Sequence, residues 1–84
     1  MKIKYVTEVQ SYAAPTDIDV DSMCIDILFY NNSAATIFVN GFPVSASATL
    51  EINGNEQELN TTKYKISWNG AVTGECVVIR RKYA

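Results

Sequence analysis

Apolar and polar residues alternate with a period of two along much of this chain, and no window repeats at the 3.6 residues of a helix. Thr62-Lys63-Tyr64-Lys65-Ile66-Ser67-Trp68 is the cleanest case, with Tyr64, Ile66 and Trp68 on one face and Lys63, Lys65 and Ser67 on the other. Ala48, Leu50 and Ile52 alternate in the same way with Thr49 and Glu51. Thr36 to Asn40 puts Ile37 and Val39 inward and Phe38 outward, and Cys76 to Arg80 reads as a last strand with Val77 and Ile79 inward. Lys2 to Val9 reads as a first strand at a sheet edge, where its lysines discourage further pairing.

Three Asn-Gly pairs punctuate these runs. Asn40-Gly41, Asn53-Gly54 and Asn69-Gly70 each suit a hairpin, because a type I′ turn needs two residues that tolerate positive φ. Asn31-Asn32-Ser33 reads as a further turn, and Pro43 restricts the start of the strand that returns from Asn40-Gly41. Ser11 to Ser22 is the least regular stretch: Pro15 breaks a strand, and Asp17, Asp19 and Asp21 favour a loop or extended arm. The pattern therefore predicts an all-β fold, a small antiparallel β-sandwich (immunoglobulin-like or jelly-roll-like) or small barrel of about six or seven strands with an irregular N-terminal segment. Residues 1–84 make one domain, within which 1–22 hold an edge strand and an acidic loop or arm.

Met23 to Tyr30 departs from simple alternation. Ile25, Ile27 and Phe29 share one face, but Cys24, Leu28 and Tyr30 make the other face apolar as well. Such a strand is covered on both sides, either within the fold or by another chain. Leu28, Tyr30, Phe38 and Phe42 all fall opposite or beside the face assigned to the core. A sandwich of this size cannot bury both faces of its strands, so these four are candidates for an exposed apolar interface. Arg80, Arg81 and Lys82 form the one basic run; it could meet an acidic partner, or be a solvated or edge-protecting cluster.

Composition then narrows the chemistry. The 84 residues are 48% hydrophobic, which suits a globular chain, and a domain this small is marginal without a disulfide, a metal or a partner surface. A net charge of −2 argues against nucleic acid as a partner, since phosphate contacts need clustered Lys and Arg. No stretch approaches the roughly 20 apolar residues of a membrane helix, and no secretory signal opens the chain. Cys24 and Cys76 are read as two buried free thiols in a reducing compartment.

The chain has no histidine, and it lacks a phosphate loop, a nucleophile elbow and a Cys-x-x-Cys pair. Asp17-x-Asp19-x-Asp21 imitates the first ligands of a calcium loop, but Ser22 and Leu28 stand where that loop needs glycine and glutamate. Glu56 and Glu58 find no catalytic companion and read as a polar loop. Neither a catalytic residue, a metal nor a cofactor is expected, and an enzyme is the last-ranked reading. Trp68 with Tyr64 could instead form an aromatic platform for a sugar, the alternative of a carbohydrate-binding or adhesion module, although residues at alternate positions beside Ile66 are more often core.

From Asn31 onward the chain resembles small all-β structural proteins of tailed bacteriophages. The resemblance rests on Asn31-Asn32, Thr36-Ile37, Val39-Asn40-Gly41 with Pro43, and Gly54-Asn55. It continues through Glu58 with Thr61-Thr62, Tyr64-x-Ile66, and Val77-Val78-Ile79-Arg80-Arg81-Lys82-Tyr83. It implies a virion protein made in the host cytoplasm, most simply a capsid decoration or auxiliary subunit. Its implied partners are the major capsid protein, other virion proteins or sister copies in an oligomer or lattice. The first thirty residues lie outside the resemblance.

Overall fold

A computed structural model describes residues 5–14, 17–54, 59–68 and 73–83, and these form two four-stranded antiparallel sheets packed face to face. The strands are β1 (Tyr5–Ala13), β2 (Ile18–Asp21), β3 (Asp26–Ser33), β4 (Ile37–Val39), β5 (Phe42–Val44), β6 (Thr49–Ile52), β7 (Lys63–Trp68) and β8 (Gly74–Tyr83). The first sheet has the order β1-β8-β3-β6 and the second β2-β7-β4-β5. The all-β sandwich expected from the pattern is the observed fold, with eight strands among the described residues in place of six or seven.

Of the connections, only β4–β5 joins neighbours in one sheet; every other consecutive pair lies in different sheets. The β4–β5 link is the predicted Asn40-Gly41 hairpin. Its two loop residues have φ of 50° and 83°, as a type I′ turn requires. Asn53-Gly54 is different. It follows β6, which pairs with β3, and the chain then crosses to β7 in the other sheet, so no hairpin closes there. Gly54 serves by close approach: a Cβ on it would lie 2.2 Å from the Ile25 carbonyl oxygen, and its N–H donates to Asp26 Oδ1 at 2.8 Å. Asn69-Gly70, Glu56, Glu58, Pro15 and the first lysines lie outside the described residues.

The core is the set of inward residues the alternation picks out, with one strand's phase reversed. Ile37, Val39, Tyr64 and Ile66 are buried from the second sheet, and Ile27 and Phe29 from the first. Leu50, Ile52, Ala48 and Trp68 pack against them. Phe29 and Tyr64 meet edge to face across the two layers with ring centroids 5.3 Å apart. In β8, however, Cys76, Val78 and Arg80 point inward, whereas Val77 and Ile79 point out. Both phases of Cys76-Val77-Val78-Ile79 are apolar, so alternation alone did not discriminate between them.

Ser11 to Ser22 also differs from the expected loop or arm. Ser11–Ala13 completes β1 against β8, and β2 pairs with β7. The register sets Asp19 opposite Lys65 and Asp21 opposite Lys63, so the acidic alternation is the outer face of a strand facing a lysine ladder. Asn31-Asn32-Ser33 belongs to β3 and not to a turn. Asn31 is fully buried: its amide donates to the carbonyls of Ala35 (2.7 Å), Val44 (3.0 Å) and Ser45 (3.1 Å), and its Oδ1 accepts from Ser33 Oγ at 2.6 Å. That amide ties the first sheet to the Ser45–Ser47 turn, where Ser47 takes φ of 62°.

Candidate interaction surface

The outer face of the first sheet follows from its register. Val9 lies opposite Ile79, which lies opposite Leu28, which lies opposite Glu51. The next row is Ser11, Val77, Tyr30 and Thr49. The first row is thus apolar across β1, β8 and β3 and the second across β8 and β3, with Glu51, Ser11 and Thr49 at their ends. Polar rows bracket them, with Thr7, Arg81 and Asp26 at one end and Ala13, Glu75 and Asn32 at the other. Arg81 is salt-bridged to Asp26, and Asn32 Nδ2 donates to Glu75 Oε1 at 3.2 Å. Leu28, Tyr30, Val77 and Ile79 are half-buried by their neighbours on the face, and Val9 is 59% exposed. A shallow groove of about 190 Å³ opens here between Thr7, Leu28, Glu51, Asn53, Ile79 and Arg81.

The four apolar candidates do not converge on this face. Leu28 and Tyr30 lie on it. Phe38 lies on the opposite side of the molecule, half-buried on the outer face of the second sheet opposite Ser67 and Pro43. Phe42 is opposite Val39 at the hairpin and is 58% exposed. Val9, Val77 and Ile79 complete the patch, and the sequence pattern had assigned the last two to the core.

The basic run divides as well. Arg81 belongs to the polar border of the face. Arg80, only 6% exposed, turns inward, where its guanidinium donates to Glu8 Oε1, Gln10 Oε1 and the Asp21 carbonyl. Lys82 also reaches Glu8, at 3.5 Å. Arg80 is therefore a strut joining β1, β8 and β2, not a solvated or partner-facing cation. A buried guanidinium is tolerated because several acceptors replace its water.

Nothing in the described residues gathers reactive groups. Cys24 and Cys76 are free and buried, as expected. Burial pushes the Cys76 thiol up to about 11, and burial raises Cys24 as well, against the opposing field of Arg80. Neither is a thiolate near neutral pH. No three of His, Cys, Asp and Glu stand close enough to hold a metal ion among the described residues. Tyr64 is buried in the core and its hydroxyl accepts from Asn60 Nδ2 at 2.9 Å, while Trp68 packs against the same core. The two rings do not form an exposed platform. Comparison of the chain with protein-family models, curated proteins and solved structures finds no match.

Proposed function

We propose that this chain is a non-enzymatic structural subunit of a tailed-bacteriophage virion, a capsid decoration or auxiliary protein. It binds the capsid or sister subunits through the outer face of the β1-β8-β3-β6 sheet. The observation that carries the reading is the double apolar row of Val9, Ile79, Leu28, Val77 and Tyr30 between two polar rows. An apolar centre with a polar rim is the make-up of a protein interface. The inner face of the same sheet is already occupied by the second sheet, and no strand among the described residues covers the outer one. The resemblance to phage structural proteins supplies the kind of assembly. A standard interface buries about 1,600 Å² in total, enough to stabilise a marginal domain of this size by mass action.

Particles purified from the source phage test the reading. The chain is expected in them at a fixed ratio to the major capsid protein, and Leu28→Asp is expected to lower its occupancy at least about tenfold while the free chain stays folded. A chain found only outside the particles, or Leu28→Asp occupancy equal to that of the parent, overturns it.

A further inference from the structure

Each sheet ends laterally in two edge strands, and three of the four are guarded. β5 is three residues long and contains Pro43; β2 carries Asp19 and Asp21; β6 is four residues and is followed by Gly54 bonded to Asp26. Short strands, prolines and charges are how sheet edges avoid pairing with other chains. β1 is the least guarded: it is nine residues long, without proline or lysine, and its single charge, Glu8, is paired with Arg80. Among the described residues no strand lies on its other side.

The Ala14 N–H donates to the Gly74 carbonyl at 3.0 Å, which sets the phase of the β1–β8 ladder. In an antiparallel pair, alternate residues send both backbone groups to the same side. Gln10 and Tyr12 therefore bond β8, and Thr7, Val9, Ser11 and Ala13 point their N–H and C=O groups out of the open edge. All four side chains are exposed on the outer face.

We infer that two copies of this chain pair edge to edge through β1, antiparallel, about a twofold axis at Val9. This register places Val9 against Val9 of the second copy, Thr7 against Ser11, and Glu8 against Gln10. Moving one step in one direction sets Glu8 directly against Glu8, a like-charge pair. Moving one step the other way sets Val9 against Ser11 and breaks the apolar contact. In the Val9-centred register the row Leu28–Ile79–Val9 continues into Val9–Ile79–Leu28 of the second copy. The two four-stranded sheets become one, the Val9–Ile79–Leu28 row is doubled in length, and the Ser11–Val77–Tyr30 row meets the Thr7–Arg81–Asp26 row of the second copy. That continuity favours a second copy over a strand from another protein. The pairing does not depend on what the doubled face meets.

Sedimentation equilibrium of the full chain against Val9→Pro tests this. Val9 directs its N–H to the open edge, so proline there removes no bond to β8 and is tolerated on an edge strand. The parent chain is expected to dimerise, and Val9→Pro to weaken dimerisation at least about tenfold with an unchanged circular dichroism spectrum. Should Val9→Pro fail to fold, Val9→Lys, which sets two like charges at the axis on an exposed side chain, must show the same loss. Val9→Cys is expected to give a disulfide-linked dimer under mild oxidation, and Thr49→Cys, exposed on the far edge of the same sheet, is not. A parent chain that stays monomeric at roughly 100 µM overturns the inference. So does a dimer unaffected by both Val9 variants, or a chain that pairs only when a particle protein is added. A monomer that still binds particles would remove the pairing and leave the docking reading; a dimer that ignores particles would do the reverse.

Discussion

The two outer faces of this sandwich differ in kind. On the second sheet, Asp19 and Asp21 stand opposite Lys65 and Lys63, with Ser67 beside Phe38. On the first, Val9, Ile79, Leu28, Val77 and Tyr30 occupy the equivalent central positions. Both sheets belong to one core and both have alternating strands, so the difference is not required for folding. A charged ladder suits water. An apolar one leaves hydrocarbon exposed at about 25 cal/mol/Å². The comparison teaches that one core can carry two outer faces of opposite character, one charged and one apolar at its centre.

The most disruptive way to test this contrast is to loosen the strand that widens the apolar face. Arg80→Ala removes the strut between β1, β8 and β2 and is expected to cost about 3 kcal/mol in urea unfolding, with earlier hydrogen exchange in β1. A loss below about 0.5 kcal/mol would mean that β1 holds its place without the guanidinium. Next is alkaline pH, which acts on the floor beneath both faces. The unfolded Cys76 thiol ionises near its ordinary value of 9.0, whereas the folded one keeps its proton to about 11. The contribution of Cys76 to stability is therefore constant below pH 9, falls as pH rises from 9 to 11, and loses of the order of 2 kcal/mol over that window. Cys76→Ala should remove most of this slope relative to the parent; an identical slope would show that other groups govern it.

Smaller effects separate the faces themselves. Leu28→Asp should change the stability of the free chain by less than about 1 kcal/mol, because its outer side is already open to water. Its consequence falls on association. Lys65→Ala, at the matching place on the charged side, should cost about 0.2–1 kcal/mol and leave association untouched. If Lys65→Ala weakens association as much as Leu28→Asp, the two faces are not specialised as described.

Much of this fold was legible in the sequence where the determinant is local. Asn40-Gly41 names its own turn, since both positive φ values lie within the two residues. The faces of β6 and β7 follow from their own alternation. Where the determinant is distant, legibility fails. Gly54 looks like Gly41, but its reason is the Ile25 carbonyl, brought close only by the folded chain. The phase of β8 depends on Arg80 finding Glu8 and Gln10 in β1, far away in sequence. The reversed phase also hid half of the candidate surface, because it sent Val77 and Ile79 to the core and left Leu28 and Tyr30 without their neighbours. The acids of β2 did show a period of two. Without the lysines of β7 beside them they resembled a loop.

The crossing of the chain between sheets at nearly every connection has a kinetic consequence. Only the β4–β5 hairpin can zip from residues adjacent in sequence; the longest ladder joins β1 to β8, which is synthesised last of the eight strands. Topologies dominated by such distant contacts fold in milliseconds to seconds, far more slowly than helical bundles. On the ribosome β1 must wait, unpaired along both edges, until β8 has emerged.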